Sequence, residues 1–353
     1  MKKKWMAALM SLCVVLLVAG CAQNKTPYDT VKSGATKTTE ADSYEYTGSL
    51  ALKLDSQNIQ DTENGMSMGM LSDFELKYSG IVHTKAKQAS INLELLLKGD
   101  MSFSIAVPIV VDNGTIYIKI PQTPFVPLPE ELVGKYVRIT QDDLQKLEEK
   151  GGAKPSPSPS LSPEVQEQLG KDIVAVFGKH FAKDANLVKV NVKNAGGDVP
   201  SDVKQMAEYS ITNENIQLVV EKLAKGVIPD LLTVLSKPEY KDVAASIPVD
   251  AQAEYAEALK DFDADFAKVK EALTINEAKV QVGVNDAGYL SYFREAFTAS
   301  VKDPETAAQT DLTMTMDMKM TNFNEETPAV QVPSDQDSVS AEELMGTFGN
   351  GLY

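Results

Sequence analysis

Hydrophobic and polar residues alternate near both ends of this chain and follow a helical period in its middle. Residues 44–55, YEYTGSLALKLD, place Leu50, Leu52 and Leu54 on alternate positions, and similar runs continue as far as residue 140. A period of two predicts strands with one apolar face. Asn113-Gly114 between two such runs predicts a tight hairpin turn. We therefore expect five or six antiparallel strands in this part.

The middle of the chain favours helices. Ser162 and Pro163 form an N-cap and first-turn signal, and apolar residues spaced by three and four follow from Val165 to Phe177. A second apolar face runs over 216–235, where Pro229 is expected to kink or split the helix. A third apolar ladder covers 255–273 and predicts one further helix.

The last part of the chain returns to strands, beginning with a hairpin about residues 285–288. The stretch DLTMTMDMKMTNF, residues 311–323, then alternates almost without interruption. Strands usually carry branched or aromatic residues on the apolar face, whereas this one carries flexible thioethers. The apolar face of this strand consists of Leu312, Met314, Met316, Met318 and Met320.

Neither block of strands closes a core alone, and the helices need an apolar partner surface. The predicted fold is therefore α+β: one large curved antiparallel sheet, a half-barrel, built from both ends of the chain with helices packed on its concave face. We predict a single domain over 44–336. The Pro/Ser-rich stretch 153–163 is expected to be a surface loop in this domain, and 337–353 a polar tail.

The N-terminus predicts the location of the protein. Residues 1–20 combine three early lysines, an apolar run and small residues, which is typical of a secretory signal peptide. Val18-Ala19-Gly20-Cys21 matches a bacterial lipobox, so Cys21 is expected to carry acyl chains such as palmitate and to anchor the protein to the cell membrane on its extracytoplasmic face. The polar residues 21–43 are expected to be a flexible tether.

The formal net charge of −16 argues against a nucleic-acid partner, because phosphate backbones are bound by clustered Lys and Arg. Outside the predicted signal peptide the chain has one cysteine, Cys21, so no internal disulfide is expected. A protein partner is not identified by the sequence.

No motif for catalysis, cofactor binding or metal binding is present, so we expect no enzyme, no cofactor and no metal site. His83 and His180 are predicted to be surface residues. Asp261, Asp263 and Asp265 have the spacing of calcium ligands, but the loop lacks the required Gly and final Glu, and they are interpreted as the solvated face of a helix.

Three segments carry a resemblance to a known superfamily: YEYTGSLALKL at 44–54, the hairpin and helix at 188–223, and DLTMTMDMKMTNFNEETPAVQVP at 311–333. Their order, and the ending with Asn322-Phe323-Asn324 and Pro333, resembles the bacterial lipoprotein carriers, the LolA/LolB and LppX/LprG-like half-barrels. The resemblance implies an apolar cavity between sheet and helices that binds acyl chains.

Two interpretations of the methionine face follow. The methionines fill the core as ordinary packing, or they line a cavity that adapts to apolar ligands. The first function hypothesis is accordingly a membrane-anchored extracytoplasmic lipoprotein that binds a lipid or another apolar ligand without covalent chemistry. The alternative is a structural or protein-interaction lipoprotein of the cell envelope with a filled core and no ligand.

Overall fold

The structure, a computed structural model, describes residues 25–56, 72–98, 102–122, 129, 131–143, 162–244, 251–303 and 306–344. The predicted signal peptide 1–20, the proposed lipidation site Cys21, nearly all of the loop 153–163 and the end of the predicted tail lie outside the described residues.

Within the described residues, twelve strands form one sheet, and all neighbouring pairs but one are antiparallel. Their order across the sheet is β12-β6-β5-β4-β3-β2-β1-β11-β10-β9-β8-β7. The first and the penultimate strands pair over twelve residue positions, so both ends of the chain build one sheet, as the sequence predicts. The strands are β1 Ser43–Ser56, β2 Asp73–His83, β3 Gln88–Lys98, β4 Ser102–Asp112, β5 Thr115–Lys119, β6 Tyr136–Ile139, β7 Leu187–Lys189, β8 Val203–Ser210, β9 Leu273–Asn285, β10 Leu290–Lys302, β11 Gln309–Thr321 and β12 Ser338–Ser340.

The helices are α1 Pro27–Thr39, α2 Pro163–Phe181, α3 Ile216–Lys222, α4 Ile228–Leu235, α5 Lys241–Ala244, α6 Ala251–Ala258 and α7 Phe262–Ala272. Ser162 caps α2 by accepting from the Val165 N–H, and Pro163 opens its first turn, as predicted. The π-helical segment Leu223–Val227 joins α3 to α4 directly before Pro229, which confirms the predicted irregularity there. The ladder predicted as one helix over 255–273 is divided at residues 259–261.

The even-numbered residues of β1, β2 and β11 and their cross-strand partners share one face, which we call the inner face. Helix α1 packs on this face over β8, β9 and β10, and α2 packs against α1. An ideal Cβ on Gly34 of α1 would lie 2.8 Å from Cγ2 of Val284, so the helix approaches β9 closely. The predicted fold class, α+β with helices on one face of a large curved sheet, is confirmed.

Two glycines allow close contacts in the middle of the sheet. A Cβ on Gly48 would lie 2.3 Å from the Asp317 carbonyl oxygen, and one on Gly80 would lie 2.2 Å from the Ser90 carbonyl oxygen. The ring of Tyr78 covers Gly48, and the Tyr78 hydroxyl donates to the Asp317 carbonyl at 3.1 Å. Glycines covered by a neighbouring aromatic ring are a known device for bending a sheet.

The predicted flexible tether is wrong for residues 27–39, which form α1. A capping box holds its start: the Thr26 hydroxyl accepts from the Asp29 N–H at 3.1 Å, and the Asp29 carboxylate accepts from the Thr26 N–H. Thr30 and Gly34 are buried against the sheet. The helix forms because tertiary contacts supply what its polar composition lacks.

The predicted polar tail is also wrong in its first part, because β12 adds a parallel edge strand beside β6. Apolar residues of the segment 339–344 pack in a small core. In it Ile120, Leu132, Val137 and Ala341 are buried together, and Val339 and Leu344 pack against them. Another correction concerns the hairpin expected at the start of 188–223, because β7 ends at Lys189 and a 3₁₀ turn follows at Val192–Asn194.

Candidate functional site

A cavity of about 350 Å³ lies between α1, α2 and the inner face of β7, β8 and β9. Side chains of α2 form one wall, and the strands form the other. Its size falls within the range of small-molecule pockets in proteins, at the lower end. The principal lining residues are Tyr28, Val31, Phe177, Phe181, Tyr209 and Val282.

The outer wall of this cavity is a ridge of α2 that is not fully covered. Ile173 and Phe177, which line the cavity, are 37% and 41% exposed. Phe177 stacks on Phe181 with a centroid distance of 6.3 Å, and Phe181 meets the Tyr209 ring edge-on at 5.5 Å. The exposed apolar side chains of this ridge adjoin the cavity, so an apolar ligand in the cavity can also contact them.

A glycine makes the contact between α1 and α2 possible. A Cβ on Gly178 would lie 1.8 Å from the Tyr28 hydroxyl oxygen, so only glycine leaves space for this ring. The Tyr28 hydroxyl donates to the Val174 carbonyl at 3.3 Å. Burial, with a smaller effect from Asp29, raises the pKa of Tyr28 above its usual range, so it stays a neutral donor. Its polar atom is engaged by α2, and its ring is left to line the cavity.

Tyr209 is fixed in the same way from the opposite wall. Its hydroxyl donates to Oδ2 of Asp184 at 3.0 Å. Burial and this carboxylate raise the pKa of Tyr209 well above its usual range. The hydroxyl therefore points away from the cavity towards Asp184, and the ring lines the cavity. No Asp, Glu, Lys, Arg or His lines the cavity among the residues that the structure describes.

Asp184 accepts the hydrogen bond from Tyr209, and its side chain is 4% exposed. It pairs with the Lys222 ammonium and accepts from the Asn186 N–H at 3.0 Å and the Asn186 side-chain amide at 2.8 Å. Burial is the largest single effect and opposes ionisation, but the hydrogen bonds from Lys222, Asn186 and Tyr209 together outweigh it and lower the pKa of Asp184 to about 2. The carboxylate thus joins the end of α2 to β8 and α3.

The methionine strand lies in the centre of the sheet, between β1 and β10. Met314 faces Leu52 and Phe297 across the two ladders, and Met318 faces Gly48 and Phe293. Val282 of the cavity is two strands away from Met318 through Phe293, a span of about 10 Å. The five predicted residues share the inner face with the cavity walls: Leu312, Met314, Met316, Met318 and Met320.

The methionines differ in burial along the strand, so the two interpretations apply to different residues. Met320 is 7% exposed and is part of the core. Leu312, Met314, Met316 and Met318 are half-buried. The structure therefore places the strand beside the cavity without making its side chains part of the cavity lining.

Sequence reasoning missed the cavity itself, because its lining comes from α1, α2 and β7–β9 rather than from β11. Tyr28 and Val31 belong to the segment predicted as a tether. The signal that was available was Thr26-Pro27 followed by Asp29, a capping sequence at the start of a helix.

A second groove, of about 670 Å³, lies mainly on the opposite, outer face of β1–β4. Six of its fifteen lining residues are charged, including Glu75, Lys77 and Lys319, and Lys319 pairs with Asp198 at 2.5 Å. This groove lies away from the helices and carries ion-pairing side chains, so we do not assign the site to it.

The two histidines do not line the cavity, and each contacts other groups. His180 was predicted as a surface residue, but its side chain is 18% exposed and lies 2.6 Å from Oδ2 of Asp230. Lys179 binds the same carboxylate at 2.8 Å, so Asp230 fastens α2 to α4. His83 lies 3.2 Å from the Pro328 carbonyl. Within the described ranges, no group of three His, Cys, Asp or Glu side chains is arranged to hold a metal ion.

Within the part of the chain that the structure covers, none of the helices is both long and apolar enough to span a membrane.

Comparisons with known proteins give little similarity. No protein-family model matches the chain, and no curated protein matches it. A solved structure, the β-barrel-like protein of a domain of unknown function, DUF1849, from Brucella abortus, covers 79% of this chain and 99% of its own, with 7% identity and a TM-score of 0.18. Similarity at this level supports no conclusion about function.

Proposed function

We propose that this chain is a lipid-anchored lipoprotein on the extracytoplasmic face of the cell membrane, related to the LolA/LolB and LppX/LprG-like half-barrels, which holds an apolar ligand without covalent chemistry. The observation that carries the proposal is the cavity between α1, α2 and the sheet, with the half-exposed ridge of Ile173 and Phe177 beside it.

The energetics favour an apolar occupant. Each CH₂ group of a ligand removed from water contributes about 0.8 kcal/mol, and no charged side chain of the described residues lines the cavity to offset this gain. The hydroxyls of Tyr28 and Tyr209, the polar groups nearest to it, are already hydrogen-bonded elsewhere. A polar ligand would lose its hydrogen bonds to water without replacement.

The first experiment is native mass spectrometry of residues 22–353, purified without detergent, followed by extraction with organic solvent. A co-purifying apolar mass that disappears on extraction supports the proposal. A bare protein mass, with no uptake of a fluorescent long-chain fatty acid or fluorescent alkane probe, contradicts it and favours the alternative, a structural or interaction lipoprotein whose core is filled by its own side chains.

A matched pair of variants tests the location. Phe177→Asp places a carboxylate in the cavity wall, while Leu218→Asp makes the same change on α3 at a residue that is 50% exposed and does not line the cavity. Because both side chains are exposed, neither change should unfold the protein. We expect Phe177→Asp to weaken binding of the fluorescent probe at least tenfold, about 1.4 kcal/mol, and Leu218→Asp to leave it unchanged. Equal effects would place the ligand elsewhere.

Lipid anchoring has its own test. Cys21→Ser should release the full-length protein from the membrane fraction, and the wild-type protein should incorporate radiolabelled palmitate. A wild-type protein that takes up no label and fractionates as the variant does would refute the anchor and leave the binding proposal standing.

A further inference from the structure

One carboxylate interrupts the inner face. Along β1–β6 and β8–β11 the described inner-face positions carry aliphatic, aromatic, glycine or uncharged polar residues, with the exception of Glu295 on β10. On the edge strand β7 the inner-face position opposite Ala207 is Lys189, which is exposed. The registers place Glu295 directly opposite Val280 on β9 and Met316 on β11. Its neighbours on the same face of its own strand are Phe293 and Phe297.

The position of Glu295 relates it to both apolar surfaces. Val280 lines the cavity, and Met316 belongs to the methionine face. Directly opposed side chains in a sheet have Cβ atoms about 4.5–5.5 Å apart, so the Glu295 side chain stands between the two surfaces. A single ligand that extends from the cavity onto the methionine face passes over it.

Glu295 has no ion pair and no hydrogen bond within the described part of the chain, although it is half-buried. Its sequence neighbour Arg294 points to the outer face and binds Asp317 there, with both N–O distances 2.8 Å, so this cation does not neutralise Glu295. The carboxylate is flanked by Val, Met and Phe side chains and is partly accessible to water, so an incoming cation can reach it. A cationic head group at this position would supply the partner that the described residues do not provide.

We propose that Glu295 binds the positively charged head group of the ligand, so that the ligand class is a cationic amphiphile, an alkyl chain ending in a protonated amine. This inference rests on the proposed function and adds to it the polarity of the ligand. The alkyl chain occupies the apolar cavity, and the ammonium donates hydrogen bonds to the carboxylate. Hydrogen bonds between charged groups are stronger than neutral hydrogen bonds. The same carboxylate repels the head group of a fatty acid anion.

The test uses three probes with the same chain, dodecylamine, dodecanol and dodecanoate, each competing with a fluorescent alkane probe at pH 7.4 below its micellar concentration. We expect wild type to bind dodecylamine at least tenfold more tightly than dodecanoate, with dodecanol between them. Glu295→Gln, which is nearly isosteric, should bring the three affinities to within about threefold of one another, and Glu295→Lys should reverse the order.

The control addresses the overall charge of the protein, because a net charge of −16 attracts cations everywhere on its surface. Glu94→Gln removes one carboxylate from the outer face of β3, and the difference between amine and carboxylate probes should persist in this variant. The difference in wild type should also survive 0.5 M salt better than a long-range effect does.

Different outcomes test the role of Glu295 and the binding of an apolar ligand separately. If all three probes bind wild type equally, or if Glu295→Gln and Glu94→Gln change the ratio alike, the role of Glu295 is refuted while binding of an apolar ligand stands. If no alkyl probe binds to wild type, the proposed function fails, and the inference fails with it.

Discussion

The ion pair behind the cavity wall gives a prediction that links stability to pH. Asp184 has an ordinary pKa of 3.8 and a folded-state pKa of about 2, because Lys222, Asn186 and Tyr209 stabilise its charged form. This lowering by roughly two pH units corresponds to about 2–3 kcal/mol of folding free energy. The carboxyl is 4% exposed, so solvent screening reduces this value little.

The sign follows from the direction of the shift. A carboxyl whose pKa is lowered by folding contributes its stabilisation fully above the unfolded pKa, near 4, and loses it as the pH falls towards 2. Asp184→Asn removes the titrating group and leaves the Lys222 ammonium without its counterion. At pH 7 we expect this variant to be less stable by about 2–4 kcal/mol. At pH 2.5 most of this difference should be gone.

The assay is urea unfolding monitored by far-UV circular dichroism at pH 7, 4 and 2.5. Circular dichroism is suitable because the single tryptophan, Trp5, lies in the predicted signal peptide. The double variant Asp184→Asn with Lys222→Met removes both charges and should recover part of the loss at pH 7. A stability difference between wild type and Asp184→Asn that is the same at pH 7 and pH 2.5 would refute the assignment of the effect to this carboxylate.

Three further predictions concern close packing and the methionine face. Gly178→Ala should lower stability by about 1–3 kcal/mol, despite a gain of about 1 kcal/mol in helix propensity, because the new methyl displaces the Tyr28 ring; a stabilised variant in urea unfolding would contradict this. Gly80→Ala should prevent correct folding, since its Cβ would overlap a backbone carbonyl; a native circular dichroism spectrum with unchanged melting temperature would count against this. Replacing three methionines of β11 by leucine should change stability by less than about 1.5 kcal/mol. If this face contacts the ligand, the variant should bind a narrower range of alkyl probes than wild type. An unchanged range of bound probes would show that the methionines are ordinary packing. The residues replaced are Met314, Met316 and Met318.

Patterns of short range predicted the local structure well. The turn at Asn113-Gly114 has positive φ at both residues, as the hairpin signal requires. The N-cap at Ser162 and the irregular helix before Pro229 also follow from neighbouring residues. In each case the physical cause lies within a few residues of the chain, so the sequence carries it.

Errors arose where distant partners decide the outcome. Residues 27–39 are too polar to predict a packed helix, yet contacts with α2 and the sheet order them, and the Thr30 hydroxyl lies 3.3 Å from the Gln205 side-chain oxygen. The short strand β12 exists because β6 offers an edge and a small core for Val339. Neither partner is visible from the segment itself.

The sequence by itself determined the alternation that gives each strand an apolar face, including the methionine face, because side-chain direction in a strand depends only on position. The tertiary structure decided what that face meets. The pairing of β1 with β11 and the packing of α1 and α2 over β7–β9 place the cavity beside the methionines rather than on them. It also placed Glu295 between the two apolar surfaces, because the register between three strands, and not the composition of any one, fixes which side chains become neighbours.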